Sequence, residues 1–218
     1  DNAVASPAFG TSDQALLYLI DKVHTTAGSH HRVMVVEVMG RYAGWIALHA
    51  GVASGADVIL IPEFPYEIDK IKECLVARSK HGRGYSIIVV AEGAKEKGGK
   101  MTVAKTVEGS PDPIRLGGVA KALCDQLSED TGLSCREVVL GHVQRGGTPT
   151  PHDRALATMF GHEVIEMLMN GKENQLVVMT GGKLAGAPLA EIAGKIKTVT
   201  EDNPLVKAAI AVGTSFGR

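Results

Sequence analysis

The stretch Leu140-Gly-His-Val-Gln-Arg-Gly-Gly-Thr-Pro-Thr-Pro-His-Asp-Arg154 holds a strand end, a turn and a helix start in one short run. Residues 136–140 are β-rich and apolar, which predicts a buried strand. Gly146-Gly147 then permit positive φ and the close approach of a ligand to the backbone. Thr150 suits a helix cap and Pro151 the first helical position, and Asp153, three residues after Thr150, completes a box-like cap. A helix start offers unpaired N–H groups at the positive end of its dipole, which suits an anion such as a phosphate. Arg145, His152 and Arg154 crowd cationic or proton-switchable donors around the same point.

Working outward, apolar runs of strand length at 33–39, 57–62 and 85–91 alternate with helical patterns over 11–23, 42–52, 65–80 and 116–130. Near-continuous apolar strands suit a parallel sheet covered on both faces. Residues 94–113 hold many Lys, Gly and Pro, which predicts a mobile excursion. Downstream, the spacing predicts a long helix over 151–169 closed by Gly171, a strand over 175–179, and short helices over 188–193 and 204–212. This alternation predicts an α/β fold, a mostly parallel sheet sandwiched by helices. Ligands in such folds bind beyond the carboxyl ends of the strands. The residues that follow the strands are therefore the candidates: Gly40-Arg41, Glu63, Glu92-Gly93 and Gln144-Arg145. Glu63 reads as a solvated loop carboxylate, whereas Arg41, Arg145 and Arg154 lie beside glycines at strand ends or a helix start and read as anion ligands.

Composition narrows the function. The chain has 218 residues, 44% hydrophobic and 22% charged, as a soluble globular protein does. A formal net charge of −1 and 4% aromatic residues argue against nucleic acid and against an anionic membrane as partners. Cys74, Cys124 and Cys135 lack disulfide or metal-ligand spacing and read as reduced core residues of a cytoplasmic protein. His30, His31 and His142 likewise have no metal-ligand partners at a useful spacing, so no metal site is expected here.

Three segments carry a family resemblance. Val38-Met-Gly-Arg-Tyr-Ala-Gly44, Ala91-Glu-Gly93 and Gly141-His-Val-Gln-Arg-Gly-Gly-Thr-Pro149 resemble, in order and spacing, the fructose-6-phosphate half of the phosphofructokinases. Arg32, seven residues before Met39, matches as well, and the likeness runs from about Thr25 to the terminal Val212-Gly-Thr-Ser-Phe-Gly217. The resemblance implies a phosphofructokinase-like substrate lobe. In it Met39, Gly40 and Arg41 line the sugar-phosphate site, Arg41 also lies near the phosphoryl group in flight, and Glu92 accepts from sugar hydroxyls. His152 and Arg154 would hold the 6-phosphate. Arg32 and Arg145 resemble arginines lent across a subunit interface, which implies a homo-oligomer, typically a tetramer. The implied reaction is glycolytic phosphoryl transfer from ATP, with Mg2+, to the 1-hydroxyl of fructose 6-phosphate.

The chain also departs from the pattern. The glycine-rich phosphate loop of the family's nucleotide half, with its Gly-Asp-Gly, is not among these 218 residues. Residues 1–218 are therefore expected to be the fructose-6-phosphate-binding portion, with the nucleotide half and most of the Mg2+ ligands elsewhere. Asp1-Asn2-Ala3 resembles the tail of the family's Thr-Ile-Asp-Asn-Asp motif with Ala3 in place of the last Asp, which implies Asp1 as the catalytic base. Pyrophosphate in place of ATP, and a non-catalytic sugar-phosphate-binding module, stay open as alternatives.

Overall fold

A computed structural model describes residues 9–82, 84–106 and 114–218. Asp1 and the stretch 107–113 of the expected excursion lie outside the described residues.

At the centre of the sheet is β1, Val33–Val38, buried along its whole length. It pairs in parallel with β3, Ser86–Ala91, on one side and with β6, Cys135–Val139, on the other. Strand β2, Val58–Leu60, adds to β3, giving the order β2-β3-β1-β6, all parallel. The C-terminal tail extends the β2 edge by a bridge from Ser215 to Val58. The helical crossovers separate two cores. Met34, Val36 and Val38 face α1, Phe9–His30, and α2, Trp45–Ala53, while Val33 and Val35 face α3, Ile68–Lys80, and α4, Val119–Thr131. Burial on both faces explains why β1 and β3 read as near-continuous apolar runs.

One position in β1 breaks the run. Glu37 is 4% exposed and points at the start of α4. Its Oε2 accepts from Gly118 N at 3.1 Å and Ala120 N at 3.0 Å, and Oε1 accepts from Gly118 N at 3.2 Å. A buried carboxylate is tolerated because it satisfies helix-terminal N–H groups and meets the positive dipole end.

Four expectations are corrected. The strand over 136–140 is not buried, because β6 pairs with β1 alone among the described residues and only its Cys135 is buried. The stretch 94–113 carries β4, Val103–Thr106, which pairs with β5, Ile114–Leu116, in an antiparallel ribbon. The helix expected from 116 begins at Val119, after Gly117-Gly118. After α5, Pro151–Met169, strand β7, Gln175–Thr180, turns back into β8, Lys183–Pro188, where a single strand was expected. The short helices α6, Leu189–Ile192, and α7, Pro204–Ala211, follow.

The three cysteines are free thiols, with Cys124 and Cys135 buried between α4 and β6. Burial, with the neighbouring Cys135 second, pushes the Cys124 thiol up to about 12. It remains a protonated packing group at neutral pH.

Candidate functional site

The carboxyl ends of β1, β3 and β6 meet at one rim, and the loop leaving β1 is its centre. Backbone amides of residues 39–44 are taken up by side chains from three other segments. Met39 N donates to Gln144 Oε1 at 3.0 Å, Gly40 N to Glu92 Oε1 at 3.4 Å, and Gly44 N to Glu63 Oε1 at 3.0 Å. From the β3 end, Gly93 N donates back to Gly40 O at 3.0 Å. Gly40 has φ of 150°, and a Cβ there would stand 3.0 Å from Ala43 O, so the turn requires glycine. Arg41 rises from the middle of this clamped loop, half-buried, with its guanidinium carbon 5.1 Å from the centre of the Tyr42 ring.

After β6 the chain makes a 3₁₀ turn, Gly141–Arg145. The turn buries Gln144, whose Nε2 donates to Gly141 O, and leaves Arg145 exposed with Nε 3.3 Å from Met39 Sδ. Arg145 and Arg41 are thus brought to one rim, as their positions after strands imply. Arg32 is not. It stands before β1, at the amino end of the sheet, roughly 20 Å from the rim for a strand of this length.

The helix start of α5 forms as its residues dictate. Thr150 Oγ1 accepts from Asp153 N at 3.1 Å and Pro151 holds the first helical position. The expected box, however, closes through another residue. Asp153 accepts from Thr11 N at 2.6 Å and from the Thr11 hydroxyl, which itself accepts from Thr150 N at 3.2 Å. One carboxylate therefore ties the N-terminus of α1 to that of α5. His152 and Arg154 flank it, both exposed, with Arg154 Nε on Pro149 O at 2.9 Å. Burial pushes the Asp153 carboxyl up, but hydrogen bonds from the Thr11 and Thr150 side chains and from the Thr11 and Gly10 backbone outweigh it. The group titrates below its ordinary value.

That direction fixes a pH dependence. The contribution of Asp153 to stability is complete above its unfolded pKa, near 3.9, and is lost as the pH falls through the lower folded value. Unfolding free energies measured from about pH 6 down to about pH 3 should fall more steeply in the parent than in Asp153→Asn. Equal slopes would exclude the link.

The roles of Glu63 and Gln144, both placed after strands by the sequence, were not read from it: Glu63 was taken for a solvated carboxylate and Gln144 was given no partner. Glu63 is no solvated carboxylate, because both its oxygens face Gly44 N and Oε1 also accepts from Val199 N at 2.8 Å. Its place after a strand was the available signal; its partners, far away in sequence, were not visible. Among the described residues no three His, Cys, Asp or Glu side chains converge as a metal site. No helix among them is long and apolar enough to cross a membrane.

The rim defines a class: a parallel α/β domain whose strand ends carry arginines, carboxylates and a helix N-terminus, a polar edge suited to an anion. The phosphofructokinase family model matches residues 3–168, and the chain belongs to that family. It is 45% identical over 212 residues to ATP-dependent 6-phosphofructokinase 2 of Clostridium perfringens, covering 95% of this chain and 57% of that protein. It is 45% identical over 192 residues to a pyrophosphate–fructose 6-phosphate 1-phosphotransferase of Amycolatopsis methanolica, covering 88% and 56%. Phosphofructokinase from Saccharomyces cerevisiae superposes with a TM-score of 0.70 at 33% identity, covering 93% of this chain and 24% of that one. The pyrophosphate-dependent phosphofructokinase of Nitrosospira multiformis gives 0.71 at 26%, covering 91% and 49%. The chain spans a little over half the length of the curated relatives it matches.

Proposed function

We propose that the chain supplies the fructose-6-phosphate site of a 6-phosphofructokinase, which transfers a phosphoryl group to the sugar's 1-hydroxyl and yields fructose 1,6-bisphosphate. The observation that carries this is the clamped loop at 39–44, which presents Arg41 at the strand ends beside Glu92. In this reading the 1-hydroxyl oxygen attacks the terminal phosphorus of the donor, the bond from that phosphorus to the bridging oxygen breaks to release ADP or phosphate, and the hydroxyl proton passes to a carboxylate, for which Asp1 is the candidate. Arg41 offsets the charge gathering on the phosphoryl oxygens. Glu92, with one oxygen on Gly40 N, is assigned as the acceptor for sugar hydroxyls. His152 and Arg154, on the first turn of α5, meet the 6-phosphate with the helix N-terminus behind them. Mg2+ would neutralise donor phosphates, and its ligands are assigned mainly to the nucleotide half.

Domain and assembly follow the same reading. The nucleotide half is assigned to the part of the relatives' length that this chain does not span. The exposed apolar side chains Val164, Ile165, Leu168 and Met169 of α5, with Leu176 of β7, suit packing against it. Arg32 is too far along β1 to serve the rim of its own chain, which supports a homo-oligomer, such as a tetramer, in which Arg32 and the exposed Arg145 serve a neighbour's sugar phosphate. The free thiols suit the cytoplasm. Both ATP and pyrophosphate are candidate donors, since a relative named for each is 45% identical, over 95% and 88% of this chain respectively.

The test is kinetic. Residues 1–218 alone should show no turnover of fructose 6-phosphate with either donor, whereas the complete enzyme should turn over with one of them. In the complete enzyme Arg154→Ala removes a charge-assisted contact worth roughly 1.5–3 kcal/mol and should raise KM for fructose 6-phosphate at least tenfold. Binding without turnover by either donor would favour a non-catalytic module. An unchanged KM would remove Arg154 from the site.

A further inference from the structure

We propose that Glu63 is a positioning residue that sets the place of Arg41 by strapping the β1 exit loop to the C-terminal segment 197–199. The inference rests on the phosphotransfer reading above for its kinetic consequence, but not for its geometry. Glu63 lies between two backbone amides brought together from distant parts of the chain. Its two oxygens stand 3.0 and 3.1 Å from Gly44 N, three residues after Arg41, and Oε1 also receives Val199 N at 2.8 Å. Gly44 is the cap residue of α2, so this carboxylate fixes where the Arg41 loop ends and the helix begins. Packing here leaves no slack. A Cβ on Gly44 would come 2.3 Å from Ile61 Cβ and 3.0 Å from Glu63 Oε2.

A second tie runs beside the first. Trp45 Nε1 donates to Lys197 O at 2.7 Å, and Lys197 Nζ lies 5.4 Å from the centre of the indole ring. Val199 is 3% exposed. Residues 197–199 belong to no helix or strand, so the bonds from Trp45 and Glu63, with the buried Val199, hold this irregular stretch against the α2 start. Glu63 itself is directed at amides, not at the rim, and is therefore assigned no contact with substrate.

The role depends on reach and acceptor geometry. Glu63→Asp keeps the charge but cannot span Gly44 and Val199 together, while Glu63→Gln keeps an acceptor oxygen at the original reach. Trp45 is the single tryptophan of the chain, so its emission reports the strap independently of activity. In residues 1–218, Glu63→Asp and Glu63→Ala should shift Trp45 emission, and in the complete enzyme they should lower kcat by up to about 100-fold, the cost of an ångström-scale misplacement of a transition-state group. KM for fructose 6-phosphate should change about threefold or less, as expected when a transition-state interaction is lost. Glu63→Gln should stay close to the parent in both readouts. If Asp behaves as the parent, or if Gln behaves as Ala, position is not what Glu63 supplies and the proposal fails. Unchanged Trp45 emission in Asp and Ala overturns it whatever the kinetics. A parent enzyme inactive with both donors defeats the phosphotransfer reading instead, and leaves the emission result to decide the strap.

Discussion

Gly93→Ala should empty the rim of function while leaving most of the fold. A Cβ at this position would lie 1.9 Å from Arg41 O, 2.7 Å from Arg41 C and 2.9 Å from Gly40 O, all backbone atoms. Backbone cannot swing aside as the tip of a flexible side chain can. The bonds from Glu92 N to Val38 O and from Gly93 N to Gly40 O also pin the two loops at this contact. Something must therefore move, and the Arg41 loop is the part not buried in the sheet. The expected cost is about 3 kcal/mol of stability, the upper range for overpacking. With it should go an approximately 100-fold loss of kcat/KM in the complete enzyme, since Arg41 and the Glu92–Gly40 contact both shift. Gly161→Ala is the matched control. It lies inside α5 with nothing within 4 Å of its Cβ and should be neutral or slightly stabilising. Thermal unfolding and steady-state kinetics of the two variants decide the point: parent-like activity in Gly93→Ala would mean that the loops do not need this contact.

Glu37→Ala should be the most destabilising single truncation in the sheet. It removes the acceptor for Gly118 N and Ala120 N, leaves the Ala120 amide buried and unpaired, and opens a cavity beside α4. Losing hydrogen bonds to a charged group and leaving a donor unpaired together predict about 3–5 kcal/mol. That is a large part of a typical stability of roughly 5–15 kcal/mol. Glu37→Gln keeps one acceptor oxygen and should lose about half as much or less. Denaturant unfolding of the isolated chain measures both. A loss under about 1 kcal/mol in Glu37→Ala would show that water or a small shift of α4 replaces the carboxylate.

Much of the fold was legible along the chain. The helix over 151–169 was read with both ends correct because its signals are local: Thr150 and Pro151 at the start and Gly171 past the end act within one turn. The central strands were legible because burial on two faces demands a near-continuous apolar run. The β7–β8 hairpin had a signal that went unread, since Gly181-Gly182 form its two-residue turn with φ of 58° and 78°. The exposure of β6 had none. Whether an apolar strand is central or at an edge depends on what lies beside it, not on its own residues.

The site divides along the same line. Its positions were written in the sequence: arginines and glycines after strands, and a capped helix start. Residue types, and spacings within a turn or two, suffice to state which groups suit an anion and where backbone can bend sharply. What holds those groups in place was decided only by the tertiary structure. Gln144 takes the amide of Met39, 105 residues away, Glu63 joins Gly44 to Val199, and Thr11 reaches Asp153 across 142 residues. A buried carboxylate or amide must find a partner, but which partner it finds depends on how the strands and helices pack, and no local pattern encodes that.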